Sequence, residues 1–345
     1  MKIDYDEKLC YNKIITQEGM INVSEVNAKL KQRNRPSMVR RHSKTVSWKK
    51  DFIKNYDLYL ISLPALAIII LFAYVPMYGI QIAFKDFVAS KGIWGSEWVG
   101  FEHFQRLFSG YNFVRIIKNT LTLSCYMLIM GFPLPILFAI MINEVRQKWF
   151  AKTMQMISYA PNFISTVVMV GMLMIFLDSS TGILNVILGK LGIDSIGFLT
   201  EPRYFKHIYV WSEIWQTMGY NAIIYIAALS GIDPQLHEAA TIDGATKFQK
   251  IIHVDIPGIA GTAVILLILN AGKIMNVGFD KVFLLQNDLN REAADIIATY
   301  TYRIGIQGAE YSFSTAVGLF NSVINCILLV TVNAISKKIG DTSLW

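Results

Sequence analysis

Six long apolar runs constrain the fold of this chain more than any other feature of its sequence. Each run is long enough to cross a hydrocarbon core about 30 Å thick, which takes about 20 helical residues. A chain inside a membrane must satisfy its own backbone hydrogen bonds, and continuous apolar runs without alternation predict helices. The predicted spans lie near residues 58–80, 116–142, 153–177, 207–230, 259–280 and 312–335. The predicted fold class is therefore an all-α polytopic membrane protein with six transmembrane helices.

The composition agrees with a membrane protein. Of the 345 residues, 53% are apolar and 17% are charged, and the mean hydropathy is +0.41. Soluble domains carry about 25% charged residues. Cys10, Cys125 and Cys326 lie far apart, which argues against a disulfide framework and against a clustered metal site. The first fifty-odd residues are polar and basic, so we expect no cleavable signal peptide.

The distribution of positive charge predicts the orientation. The net charge is +7, and 13 of the 32 lysine and arginine residues fall within residues 1–57, ahead of the first predicted span. That position is typical of a cytoplasmic flank and does not require a nucleic-acid partner. An even number of spans returns the C-terminus to the same side, where Lys337 and Lys338 lie. We therefore predict a multi-pass plasma-membrane protein with both termini in the cytoplasm.

Residues 1–54 differ from the rest of the chain. They are charged and poor in aromatic residues, and they predict a flexible, basic cytoplasmic arm in front of a membrane domain at residues 55–345. One interpretation is a topology anchor, and the other is an arm that binds anionic membrane lipid or a partner. A further hypothesis is that translation starts at Met38, which leaves a short basic leader.

A polar loop at about residues 231–258 separates the fourth and fifth predicted spans. Asp233 suits a helix N-cap, and Pro234 suits the first helical position. Gly244 tolerates a positive φ where this first short helix is expected to end. A second helical stretch then runs toward Pro257, which marks the start of the fifth span. The loop is thus predicted to hold two short helices joined at a glycine elbow.

The first helix of this loop has one face of mostly small residues at spacings of three and four positions. A cytoplasmic helix of about ten residues is marginally stable in water on its own. Docking against a partner protein and lying on the membrane surface are both open at this point. The residues of the face are Leu236, Ala239, Ala240 and Asp243.

The segment "EAATIDGATKFQKIIHVDIP" resembles the EAA signature of bacterial ABC-importer permeases. Five residues match the spacing of that signature, whereas Val254 and Ile256 replace its isoleucine and leucine. Other stretches over about residues 55–345, including "GFPLPILFAIMINEVRQ" and "SFSTAVGLFNSVINCILLV", resemble carbohydrate-importer permeases of the polysaccharide-utilisation type from Gram-positive bacteria. The five matching residues are Glu238, Ala239, Ala240, Gly244 and Pro257.

The resemblance implies a type I ABC-importer permease with a cytoplasmic coupling-helix loop. Such a permease pairs with a second, similar permease and rests on an ABC ATPase dimer. It receives a sugar or oligosaccharide from an extracellular solute-binding lipoprotein. The resemblance also implies that the helix bearing Glu238 sits in a cleft of the ATPase, and that Gly244 sets its angle. Transport would then proceed by alternating access, and the chain would not be an enzyme.

The chain lacks a G-x-x-x-x-G-K-[ST] run that would cradle ATP phosphates. ATP and Mg²⁺ are therefore expected on the partner ATPase, with no cofactor bound by this chain. The sequence "HEAAT" has Thr241 where a zinc protease needs its second histidine, so no metal site is predicted.

Polar residues inside the predicted spans indicate a substrate path, because such residues are costly in lipid and usually face the interior of a bundle. Lys273 is the strongest candidate. It is expected either to meet the carboxylate of an acidic sugar, or to pair with Glu213, or to extend toward the outer interface. The candidate path residues are Glu213 and Asn221 on the fourth span, Asn270, Lys273 and Asn276 on the fifth, and Asn321 and Asn325 on the sixth.

The sequence alone leaves other functions open. The EAA loop also occurs in importers of phosphate, metals and amino acids, and only the flanking resemblance favours a sugar. A self-sufficient secondary transporter would show inverted repeats, and no convincing repeat is present. A membrane enzyme would need a cluster of catalytic residues, and the sequence has no such pattern.

Overall fold

A computed structural model describes residue 52 and residues 54–339 of the chain. The chain divides into two compact units, Met1–Ile70 and Leu71–Trp345. The predicted basic arm lies almost entirely outside the described residues, as does the hypothetical start at Met38. The boundary proposed after residue 54 stays a prediction.

The described part of the first unit is helix α1, Tyr56–Ile69, which contains Pro64 and buries no side chain. A helix that is apolar all round and exposed is suited to a lipid environment. The chain continues as a π-helix at Ile70–Tyr74 and a 3-10 helix at Val75–Phe84. Helical structure at the first predicted span is confirmed, although the helix type changes along it.

The described part of the second unit, residues 71–339, is built from helices and one pair of short strands. Strands β1, Lys85–Asp86, and β2, Glu97–Trp98, are antiparallel. The remaining helices are α2 Gly92–Gly95, α3 Glu102–Ser109, α4 Phe113–Gly131, α5 Pro133–Asn143, α6 Lys148–Tyr159, α7 Thr166–Phe176, α8 Ile183–Lys190, α9 Pro202–Ser230, α10 Pro234–Ile242, α11 Lys247–Lys250, α12 Ile256–Ala271, α13 Phe279–Leu285, α14 Arg291–Ala294, α15 Ile297–Tyr302 and α16 Tyr311–Ile339.

Four helical stretches among the described residues are long and apolar enough to cross a membrane. Each overlaps a predicted span, namely the first, second, fifth and sixth. They are Tyr56–Phe84, Phe113–Asn143, Lys247–Ala271 and Tyr311–Lys338.

The third predicted span, 153–177, is sharply bent. Lys148–Phe163 and Thr166–Phe176 meet at 96° and make a fifth candidate only if they are counted together. A 3-10 turn at Ala160–Phe163 contains Pro161, and the Ser165 side chain then caps α7. Pro161 therefore lies in the turn that directly precedes the break.

Helix α9 covers the fourth predicted span and is long enough to cross a membrane, but it is not among the apolar candidates. The predicted count of six spans is therefore not confirmed by apolarity. Helix α9 packs against α4, α5, α6, α12 and α14, and these contacts bury Gln216 and half-bury Glu213, whereas Asn221 stays exposed. Gln216 of α9 donates a hydrogen bond to the Ile164 carbonyl at 2.8 Å, which ties α9 to the bend before α7.

The fifth predicted span, residues 259–280, ends early. Helix α12 stops at Ala271, and a non-helical segment at residues 272–278 leads to α13. Gly272 lies so close to α16 that a Cβ there would be 2.6 Å from Leu329. Non-helical backbone at membrane depth is tolerated where it is buried in protein or lines a water-filled cavity. Lys273 and Asn276 thus lie on a break and not on a span.

Candidate functional site

The break after α12 borders a cavity that also contacts α4 and α9. Its volume is about 270 Å³. The structure brings five of the seven predicted path residues to its wall. These are Glu213, Asn221, Asn270, Lys273 and Asn276. Polar residues from separate predicted spans therefore meet at one place inside the helix bundle.

The two remaining path residues, Asn321 and Asn325, lie next to this wall and hold it in place. Their side-chain amides donate to the Asn276 Oδ1 atom at 2.9 and 3.1 Å. Asn325 Oδ1 in turn accepts from the Met275 N–H at 3.1 Å. This amide cluster joins the non-helical segment at residues 272–278 to α16.

Two polar residues of the wall were missed from the sequence. Ser124 of α4 and Tyr209 of α9 line the cavity, and the Ser124 hydroxyl is buried without a hydrogen-bond partner among the described residues. Serine and tyrosine are common in membrane helices, so nothing in the sequence marked these two.

An ion pair lies against the cavity. The Lys281 Nζ atom is 2.8 Å from Glu213 Oε2, and the Lys281 side chain is 3% exposed while that of Glu213 is 30% exposed. Lys281 also lies 5.6 Å from the ring centroid of Tyr209. The suggested pairing of Glu213 with Lys273 is therefore wrong. Lys281 was missed because it lies one residue beyond the fifth predicted span, 259–280, and only polar residues inside the spans were considered.

The polar loop folds as the sequence predicts. Asp233 caps α10, and its side chain accepts from the Gln235 N–H at 3.0 Å. Gly244 has a φ of +76°, which makes the elbow after α10. The second helical stretch runs from α11 through a π-helix into α12, in which Pro257 occupies a position of the first turn.

A capping box that the sequence analysis missed starts α11. The Thr246 side chain accepts from the Gln249 N–H at 3.4 Å, and the Gln249 side chain accepts from the Thr246 N–H at 2.7 Å. A threonine followed three residues later by glutamine is a known sequence signal for this motif. It fixes the direction in which the chain leaves the elbow.

Most of the EAA residues are accessible. Glu238 and Ala239 are exposed, and Ala240 is half-buried. Large apolar side chains are also exposed on this loop: Leu236 and Ile242 on α10, and Phe248 on α11. Exposed apolar residues grouped on a polar loop are typical of an interaction surface.

Side-chain contacts brace α10 against the rest of the loop. His237 Nε2 lies 3.3 Å from Asp255 Oδ1, and Asp255 is 1% exposed. Lys250 Nζ donates to Thr241 Oγ1 at 2.8 Å. Since Asp255 directly precedes α12, these contacts link α10 to the helix whose other end borders the cavity.

A second contact joins the loop to the bundle. Lys247 Nζ of α11 lies 3.9 Å from Glu144 Oε2, at the end of α5. Such an exposed pair contributes little stability by itself, about 0 to 1 kcal/mol. Its position shows that the start of α11 lies near the connection between the second and third predicted spans.

Comparison with known proteins agrees with these features. Residues 107–341 match the family described as "Binding-protein-dependent transport system inner membrane component". The polygalacturonan/rhamnogalacturonan transport system permease protein YteP of Bacillus subtilis is 42% identical over 85% of this chain and 91% of its own length. Protein LplB of the same organism is 39% identical over 88% of this chain and 95% of its own length.

A solved structure shares the fold. It is a chain from a bacterial ABC transporter involved in the import of the acidic polysaccharide alginate, with a TM-score of 0.79 and 43% identity. The match covers 84% of this chain and 98% of that chain. A second match, with the same TM-score, comes from the alginate transporter in complex with a pentasaccharide-bound periplasmic protein. This chain therefore belongs to the family of binding-protein-dependent transport system inner membrane components, as a transport permease subunit and not an enzyme.

Proposed function

We propose that this chain is one permease subunit of an ATP-driven importer for a sugar or oligosaccharide. The observation that carries the proposal is the polar cavity at the break after α12, because its wall combines amides, a carboxylate and an ammonium within an apolar bundle. Amide and charged side chains can hydrogen-bond the hydroxyl groups of a sugar. Relatives named for polygalacturonan, arabinooligosaccharide and alginate transport support the same substrate class.

The proposed route of energy transfer is the polar loop. Helix α10, which bears Glu238, Ala239 and Ala240, docks on an ABC ATPase that binds ATP and Mg²⁺. Gly244 sets the angle of α10, and Pro257 lies where the loop passes into α12. The exposed Leu236, Ile242 and Phe248 supply the apolar part of the docking surface.

The mechanism that follows is alternating access. Closure of the ATPase dimer on ATP moves α10, and the His237–Asp255 contact transmits that movement to α12. Because α12 ends at the cavity wall, its displacement changes the access of Lys273 and Asn276 to either side of the membrane. A second, homologous permease completes the path, and an extracellular binding lipoprotein delivers the sugar.

The proposed location is the bacterial plasma membrane, with the N- and C-termini and the polar loop in the cytoplasm. The sign of the charge bias supports this orientation, since basic residues cluster ahead of the first span and at the end of α16. Cytoplasmic placement of the loop is also required for contact with an ATPase that uses cellular ATP.

Affinity purification from native membranes tests the proposal. The tagged chain is isolated in mild detergent beside two variants, Glu238→Arg on α10 and Glu102→Arg on α3, and bound proteins are identified by mass spectrometry. Glu102 is an exposed glutamate outside the loop and serves as the matched control. We expect an ATPase and a second permease with the wild-type chain and Glu102→Arg, and loss of the ATPase with Glu238→Arg. Recovery of the chain alone in all three samples would contradict the proposal.

A further inference from the structure

Three charged side chains determine the charge of the cavity. Glu213 and Lys273 are the charged residues of its wall, and Lys281 pairs with Glu213 from the far side. The carboxylate of Glu213 and the ammonium of Lys281 neutralise each other at 2.8 Å. The ammonium of Lys273 therefore leaves this region with a net positive charge.

Lys273 is placed to meet a ligand. Its side chain is exposed on the non-helical segment, and it has no carboxylate within 4 Å among residues 54–339. Lys281, by contrast, is buried against both a carboxylate and the face of Tyr209. Ionisable groups at membrane depth are costly and normally have a partner. A lysine that faces a polar cavity without a partner suits a negatively charged substrate.

We propose that Lys273 is the specificity-determining residue of the cavity and that it binds a carboxylate of an acidic oligosaccharide, one that contains uronate units. Lys281 is a positioning residue, because it holds Glu213 and cancels the charge that would repel such a substrate. This inference rests on the proposed function as an oligosaccharide permease.

The walls of the cavity strengthen the attraction between Lys273 and a substrate carboxylate. Met127 and Leu128 of α4 and Val277 of the non-helical segment line the cavity beside the charged groups, so charges interact more strongly there than in open water. A cavity with a net charge also concentrates ions of the opposite sign. Asn221 and Asn270 add neutral hydrogen-bonding groups for hydroxyls, which fits a sugar better than a simple anion.

Thiol labelling measures the charge of the cavity on this chain alone. Asn270→Cys is introduced after Cys10, Cys125 and Cys326 are replaced by serine, and the full chain is placed in nanodiscs. A negatively charged and a positively charged methanethiosulfonate of similar size then react with the introduced thiol. The ratio of the two rates reports the local potential, because a changed thiol reactivity affects both reagents alike. Each rate is divided by the rate of the same reagent with a free thiol in solution. We expect this normalised rate to be about tenfold higher for the anionic reagent at low salt, and the difference to be smaller at high salt.

Four variants of that chain separate the roles. Lys273→Gln should remove the preference for the anionic reagent, and Glu213→Gln should increase it because Lys281 is then unpaired. Lys281→Gln should also remove it, whereas Lys281→Arg should retain it. Lys190→Gln is the control, because this exposed lysine ends α8 away from the cavity and its loss changes the net charge equally. If Lys281→Gln does not fold, Glu213→Gln still tests the charge balance. A ratio that is unaffected by Lys273→Gln would overturn the proposal.

Measurement of uptake tests the substrate class. It uses the importer assembled from this chain and its co-purifying partners. The probes are a trigalacturonate and the same trisaccharide with its carboxyl groups reduced to alcohols. Lys273→Gln should lower the uptake of the trigalacturonate about tenfold and that of the neutral trisaccharide less than about twofold. Equal losses of both would overturn the role of Lys273 but leave the importer function intact. Absence of any ATPase partner would instead overturn the proposed function, and the labelling experiment would still report the cavity charge.

Discussion

The polar loop at residues 231–258 and the cavity behind α12 are both polar regions of an apolar chain, but they are held by different kinds of contact. The loop is fixed mainly by contacts within itself, such as Asp233 with Gln235, and the exposed pair of Lys247 with Glu144 joins it to α5. The cavity depends on distant residues: Glu213 and Lys281 are 68 positions apart. The loop is therefore a local unit that faces outward, whereas the cavity forms only when the whole bundle is assembled. Substitutions in the cavity should reduce stability, and substitutions in the loop should reduce coupling without unfolding the bundle.

The largest expected effect comes from breaking the buried ion pair. Lys281→Met leaves the Glu213 carboxylate without its partner and should lower the free energy of unfolding by about 3 kcal/mol. The estimate is at the low end for buried pairs because Glu213 is 30% exposed. Thermal unfolding in detergent measures the loss. The double variant Lys281→Met with Glu213→Gln should recover part of this loss. If the double variant instead loses as much free energy of unfolding as the two single variants together, the two residues do not form an ion pair.

A side chain added where two helices of the bundle are in close contact should have the next largest effect on stability. A Cβ at Gly219 of α9 would lie 2.3 Å from the Ser158 backbone oxygen, and a backbone atom cannot move aside as a side chain can. Gly219→Ala should therefore destabilise the bundle by about 2 to 3 kcal/mol. Gly171→Ala in α7 is the matched control, because nothing lies within 4 Å of a Cβ there. Similar unfolding temperatures for the two variants would show that α6 and α9 are not in close contact.

A substitution at the glycine elbow of the loop should have a smaller effect, and it should act on transport and not on the stability of the bundle. Gly244 has a φ of +76°, and a side chain at that φ costs about 1.5 kcal/mol. Gly244→Ala should therefore change the angle of α10 and reduce ATP-driven uptake several-fold, while the unfolding temperature of the bundle stays the same. Gly231→Ala, at a φ of −87°, is the control within the same loop. A lower unfolding temperature with Gly244→Ala would contradict the claim that the loop can change without destabilising the bundle.

The smallest effect concerns the capping box. Thr246→Ala removes the side chain that accepts from the Gln249 N–H, and a lost cap of this kind costs about 1 kcal/mol of local helix stability. The expected result is faster amide hydrogen exchange confined to α11, with unchanged exchange around Lys281. Faster exchange in both regions would show that the loop and the bundle unfold together.

The same difference explains how much the sequence could predict. The caps and the elbow of the loop depend on residues a few positions apart, so Asp233, Pro234 and Gly244 were sufficient to place α10. The amide and charged residues of the cavity wall were also recognisable, since such groups are rare in long apolar runs, whereas Ser124 and Tyr209 were not. The partner of Glu213 was not predictable, because Lys273 and Lys281 both lie near the end of one span and only the break after Ala271 decides which lysine reaches it.

Helix α9 shows why span prediction from apolarity is incomplete. Its Glu213, Gln216 and Asn221 lower its hydropathy, yet α9 buries many of its side chains against other helices, whereas α1 buries none. Glu213 and Gln216 are satisfied by Lys281 and by the Ile164 carbonyl. A helix packed inside a bundle can carry such groups, whereas a helix that faces lipid cannot.

The most direct test of the central claim is photo-crosslinking from α10. Benzoylphenylalanine is introduced in place of Ala239, or in place of Glu102 as a control, and the importer is irradiated in native membranes before purification. We predict a covalent adduct between an ABC ATPase and the chain labelled at position 239, and none with the chain labelled at position 102. An ATPase that co-purifies with the chain but is not crosslinked from position 239 would contradict the account, because α10 would then not be the surface on which the ATPase acts.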